Sequence, residues 1–151
     1  MKDSIKVTGR VQITTVNSAG KVLDVRDIPN MVVDVGLVYI IRSMVKTSNS
    51  PAAMTHMAAG TGTTPTTGGD TVLAAEICRV ALTASAPSGT SMVFSATIPA
   101  GTGTGVLSEL GIFNDALAGT MLCRTVFPSL PKPADAATVI AWTITLSRPE
   151  I

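Results

Sequence analysis

From Ala96 to Leu130 the chain reads ATIPAGTGTGVLSELGIFNDALAGTMLCRTVFPSL. Within it, Val106–Phe113 is apolar on both faces apart from Ser108 and Glu109, and Thr120–Phe127 is apolar on both faces with Arg124 as its one charge. A strand with one wet face alternates with period two; a run without that alternation needs cover on both sides. Two such runs, joined by a turn at Asn114–Gly119, predict neighbouring strands at the centre of a sandwich. Charges placed inside them need partners, so Glu109 and Arg124 are expected to form a cross-strand pair, within the chain or between subunits.

The remaining segments supply edges and cover. Ile5, Val7, Val11 and Ile13 alternate with Lys6, Thr8, Arg10, Gln12 and Thr14, the pattern of a half-buried strand. Asn17–Gly20 turns the chain, and Lys21–Ile28 returns as the second strand of a hairpin, with Leu23 and Val25 expected inside. Asp34 opens a helix expected over 34–46. Leu37, Ile40, Ile41 and Met44 follow at i, i+3, i+4 and i+7, a face expected to pack on the sheets. On that placement Ile41→Asp would bury an unpaired charge.

Met57–Gly60 and Arg79–Thr83 read as short strands, with a helical turn expected over Thr71–Glu76. Pro87–Gly89 turns into the alternating strand Met92–Ile98. Pro128–Ala136 reads as a Pro-rich connection before a last strand with Ile140, Trp142, Ile144 and Leu146 on one face. About seven or eight strands at short spacing predict a mostly β fold, an antiparallel β-sandwich with one packed helix, as a single domain over 1–151.

Composition narrows the functional classes. Charged residues are 14% of the 151, with 11 basic and 10 acidic, against about 25% in ordinary soluble domains. No basic run marks a nucleic-acid surface, no window suits a membrane span, and the N-terminus MKDSIKVTGRVQ lacks a signal-peptide core. His56 is the only histidine, so no metal set converges on it and no Ser/His/Asp or Cys/His nucleophile is assembled. Cys78 and Cys123 read as reduced, buried small hydrophobes. Thr61–Asp70 is rich in Gly and Thr but lacks the Gly-Lys-[Ser/Thr] ending of a phosphate loop. Glu76 with Arg79 reads as a tie between elements, and Asp70 and Asp115 as turn residues. No catalytic residue, cofactor or metal is expected. Gly60, Thr61, Gly62 and Thr63, with Gly101, Thr102 and Gly103, form loops without bulky side chains, where a neighbouring backbone is expected to approach.

Three segments carry a resemblance. They are VTGRVQITTVNSAGKVLDVRDIPNMVVDVGLVYIIRSM, MTHMAAGTGTTPTTGGDTVLAAEICRVAL, and FSATIPAGTGTGVLSELGIFNDALAGTMLCRTVFPSLPKP with its later WTITLS. In this order they resemble the small tail-fibre and tail-associated virion proteins of tailed bacteriophages. Leu110 departs from that pattern, standing where a small residue such as Ala is expected. The resemblance implies a non-enzymatic structural component of a virion, made and assembled in the host bacterial cytoplasm. Its place would be the tail, baseplate or neck, as a fibre or fibre adaptor. Its partners would be itself, as a trimer or higher ring, and other virion proteins. The low charge fits such an assembly, because uncharged strand edges are poorly defended in a monomer. A capsid decoration protein is the alternative, as is a receptor module at a fibre tip that reads a host-surface glycan. One Trp, one Tyr and three Phe leave few stacking platforms for a sugar.

Overall fold

The first strand and the last strand form as their alternation dictates. The computed structural model describes residues 3–149. Its elements are β1 (Lys6–Val16), β2 (Val22–Pro29), β3 (Met31–Val32), α1 (Asp34–Arg42), β4 (His56–Gly60), β5 (Glu76–Ala81), β6 (Ala84–Ser88), β7 (Ser91–Ile98), β8 (Gly105–Phe113), β9 (Met121–Lys132) and β10 (Ala137–Ser147). They build two antiparallel five-stranded sheets, ordered β2-β1-β10-β7-β6 and β3-β9-β8-β4-β5. The mostly β, sandwich-like architecture with one helix is the expected one.

The two inner faces meet in a continuous apolar core. Register places Val11 opposite Trp142, and Trp142 opposite Phe94, so one inward row crosses three strands. Ile13, Ile140, Ala96 and Ile98 extend it, and Met57, Leu110, Ile112, Cys123 and Leu130 answer from the second sheet. Trp142 is fully buried, the core anchor its strand pattern predicts.

Four local expectations change. The strands number ten among the described residues because β3 and β6 are added. β6 contains Pro87 yet pairs with β7, which an edge strand tolerates. The supposed Pro-rich connection is strand as far as Lys132: β3 pairs only with Cys123 and Arg124, so the β9 edge beyond is open and accepts Pro128 and Pro131. Residues 71–75 run as bends into β5 instead of a helical turn. Leu23 and Val25, both expected inside, are 42% and 68% exposed; Val25 pairs with the outward Thr14, and the half-buried positions of β2 fall to Asp24, Arg26 and Ile28.

The helix departs most from its expected placement. It spans Asp34–Arg42, so Met44–Lys46 lie beyond it. Gly36 is its buried residue, and a Cβ there would stand 2.0 Å from the Leu122 carbonyl oxygen. The helix therefore sits backbone-to-backbone on β9. Tyr39 and Ile40 pack on the core, while Ile41 is 62% and Met44 75% exposed. Periodicity reveals that a helix has an apolar face; it does not say which face the chain's own sheet takes.

This placement sorts two substitutions. Gly36→Ala is expected to cost about 1–3 kcal/mol, since backbone must move to admit the methyl group. Ile41→Asp, at dilute concentration, should stay within about 0.5 kcal/mol of the parent, as exposed substitutions do. Thermal melts of both variants check the pair of outcomes, and the reverse order would show that α1 packs by its other face.

Candidate functional site

The double-sided burial of β8 and β9 is met on the outer side by loop, not by a third sheet. Val33, Ala58, Leu73, Phe113 and Met121 form a second apolar cluster there. Over it runs the segment from Thr61 to Ala75, and charge holds that segment down.

Glu109 projects outward from β8 and is fully buried. Its Oε1 accepts from the backbone N–H of Gly62 (3.0 Å) and of Ala75 (2.7 Å). Its Oε2 accepts from the Ala74 N–H (2.9 Å) and from Nε (3.1 Å) and Nη2 (2.8 Å) of Arg124. Arg124 stands opposite Gly111, so its reach to Glu109 is diagonal across a position with no side chain. Nη1 continues to Asp70 Oδ2 (2.9 Å), and Nη2 to the Thr64 carbonyl (3.0 Å). Asp70 also accepts from the Thr67 N–H (3.0 Å) and hydroxyl (2.9 Å), and Ser108 donates to the Gly62 carbonyl (2.9 Å). The ion pair expected between these two strands thus forms inside one chain, as the centre of a larger network.

Burial pushes the Glu109 carboxyl up. The N–H groups of Ala75 and Ala74, the Arg124 guanidinium and the Gly62 N–H outweigh it, so its pKa lies below the ordinary value. At Asp70, burial likewise raises and the Thr67 and Arg124 bonds lower, again with a net fall. A general acid needs a raised pKa and access to substrate. A sealed carboxylate that accepts five hydrogen bonds is instead a structural anion.

The glycines expected to admit a neighbour are filled from within. A Cβ at Gly60 would lie 2.4 Å from the Ala75 carbonyl oxygen, and one at Gly62 would lie 2.4 Å from Glu109 Oε1. The groups that crowd Gly60 and Gly62, the Ala75 carbonyl and the Glu109 carboxylate, are this chain's own. Glu109 and Arg124 are likewise covered by their own chain. Thr61, Thr63 and Gly101 are exposed, and Thr102 and Gly103 half-buried. Gly101 and Gly103 have positive φ, 83° and 60°, so turn geometry accounts for them.

One charged residue at the opposite end has no counterpart in the sequence reading. Lys132 is fully buried, and its Nζ donates to the carbonyls of Pro99 (2.9 Å) and Ala136 (2.8 Å). Burial lowers its pKa. Its inward register two residues after Leu130 is the signal that would have revealed it. Arg79 sits 3.9 Å from the Phe113 ring centroid, pairs with Glu76 (2.7 Å) and donates to the carbonyls of Asp115 and Ala118. His56 bonds the Thr55 hydroxyl (2.8 Å). Cys78 and Cys123 are free thiols. Among the described residues no cluster of three or more His, Cys, Asp or Glu could hold a metal ion, and no helix is long and apolar enough to cross a membrane.

An apolar cleft of about 540 Å³ opens between the sheets beside α1, lined by Tyr39, Ile40, Met54, Met92, Phe94 and Ile144 among others. No family model, curated protein or solved structure matches the chain.

Two outcomes test the network. Arg124→Met leaves a buried carboxylate without its counter-charge and should cost about 3–5 kcal/mol. Glu109→Gln/Arg124→Met should cost less than the sum of the single changes in urea unfolding, and strict additivity would dissolve the coupling. Acid supplies the second. Both carboxyls have folded pKa values below their unfolded ones of about 4.3 and 3.9. Their contribution is therefore full above that range and is lost as pH falls through the lower folded values. Melting temperature between pH 7 and pH 3 should fall less steeply for Glu109→Gln than for the parent; parallel curves would place the acid sensitivity elsewhere.

Proposed function

We propose that this chain is a non-enzymatic structural component of a bacteriophage virion. It would serve as a tail-, baseplate- or neck-associated fibre or fibre-adaptor protein, assembling as a symmetric oligomer, a trimer or higher ring. The observation that carries the reading is where the chain spends its polar chemistry. Glu109, Arg124, Asp70 and Lys132 hold loops to sheets inside the chain, while large apolar side chains on α1 stand exposed. Buried charges tied to backbone make a rigid body, and exposed apolar side chains in contiguous patches mark contact with other proteins. The ordered resemblance to small tail-associated proteins supports the virion as the setting in which such contacts form. The exposed Thr61, Thr63 and Gly101 loops supply further small, uncharged contact surface in this reading.

Particles labelled with an antibody against this chain and viewed by negative stain test the proposal. Label on tail, baseplate or neck is expected. Label on the capsid would make it a decoration protein, and particles without label would remove the virion reading altogether.

A further inference from the structure

The apolar cleft beside α1 is graded from floor to rim. Met54, Phe94, Leu122 and Ile144 line it although all four are buried, so they form its floor. They come from both sheets: Phe94 from β7 and Ile144 from β10 on one side, Leu122 from β9 on the other, with Met54 just ahead of β4. The rim carries hydroxyls. Ser85 of β6 and Thr90 of the β6–β7 turn form one lip, and Tyr39 of α1, with Ser43 and Ala53, forms the other. Ser43 donates its hydroxyl to the Tyr39 carbonyl (2.8 Å), and Ser91 shares its own with Thr145 (2.7 Å). Those of Tyr39, Ser85 and Thr90 bond no other described residue.

This grading selects the occupant by charge and polarity. No residue that lines the cleft is charged, so a carboxylate, phosphate or ammonium would lose its hydration without gaining a counter-charge. An extended peptide would bring N–H and C=O groups onto a floor of hydrocarbon and thioether that cannot pair them. A sugar, with a hydroxyl on most carbons, meets the same obstacle. What fits is a hydrocarbon chain with one small uncharged head, the chain on the floor and the head among the free hydroxyls. The volume of about 540 Å³ falls within the roughly 300–1,000 Å³ of small-molecule sites. At the roughly 30 Å³ that one water takes up, about 540 Å³ holds about 18 groups of that size, the scale of one lipid chain and its head.

We propose that the cleft binds a neutral single-chain lipid, its chain seated on Phe94, Leu122 and Ile144 and its hydroxyl or ester head held by Tyr39, Ser85 and Thr90. The site goes beyond the virion reading and does not depend on it, since particle labelling reports nothing about the cleft.

Titration calorimetry of the full chain with 1-monolauroylglycerol, below its critical micelle concentration, tests the proposal. One molecule should bind per chain, and laurate, the same chain with an ionised head, should bind at least about tenfold more weakly. Ala53→Trp, placed across the mouth, should abolish binding. Val25→Trp, an exposed position of β2 outside the cleft, should leave it unchanged. Tyr39→Phe should weaken it about three- to tenfold, the loss of one hydrogen bond. Circular dichroism checks the fold of each variant, and Ser85→Trp on the opposite lip replaces Ala53→Trp if that chain does not fold. Absence of binding, laurate bound as tightly as the glyceride, uptake only above the micelle concentration, or binding that survives a blocked mouth would overturn the inference. Absence of binding together with self-association that the blocked mouth breaks would make the cleft a contact between copies instead.

Discussion

The Glu109–Arg124 pair is the constraint on which the second sheet depends. β8 and β9 are apolar on both faces, so both need cover, and the first sheet can cover only one. The outer cover is the segment from Thr61 to Ala75, rich in Gly and Thr and poor in large apolar groups apart from Val72 and Leu73, of which Leu73 is buried. Burial of one leucine cannot fix fifteen residues of loop against its conformational entropy, about 1–2 kcal/mol for each residue's backbone. Directional bonds do most of that fixing: three N–H groups from Gly62, Ala74 and Ala75 converge on one carboxylate, and one guanidinium holds Thr64 and Asp70. A buried ion pair by itself can be a poor source of stability; this one satisfies its remaining lone pairs and donors with backbone, the condition under which the desolvation cost is offset.

The network also explains why small residues stand where they do. Gly60 and Gly62 have no side chain because the Ala75 carbonyl and the Glu109 carboxylate occupy that space, and a Cβ at Gly111 would press on Leu73 and the Phe113 ring. The Gly/Thr motif is therefore the imprint of a charge on the neighbouring strand. A sequence reading could see that Glu109 and Arg124 were anomalous in apolar strands and that the two should meet. That the third party is a loop more than thirty residues earlier is not legible, because a glycine in a loop does not say which group takes the space of its side chain and any residue but proline can offer its N–H.

Legibility elsewhere follows the same division. Strands with one wet face, such as β1, β7 and β10, were readable because period-two alternation states the direction of each side chain. Val25 was misplaced because pairing with Thr14 sets its side, and register is not written in β2 alone. Lys132 was hidden because its two carbonyl partners belong to loops. For α1, the start at Asp34 and the apolar spacing are visible in the sequence, but neither the end at Arg42 nor the face that the sheet takes is. Gly36 was the better guide, since a residue without a side chain marks where backbones touch.

These pieces meet on β9. Its outward Arg124 anchors the loop cover, its Leu122 carbonyl accepts from Val33 N–H and faces Gly36, and Leu122 and Cys123 enter the core. The helix is tied to the loop as well, through the Asp34 N–H to the Gly68 carbonyl at 2.8 Å. Cover, strand and helix thus form one hydrogen-bonded unit, and the exposed stripe of α1 is presented by the rigid part of the molecule. A surface that projects apolar side chains from a fixed frame loses little conformational entropy when a partner covers it, and preorganisation of that kind converts modest area into useful affinity. Were α1 attached only by its own apolar face, that face could not be free. By seating the helix on glycine and backbone bonds, the chain keeps its largest hydrophobic side chains there available for another molecule.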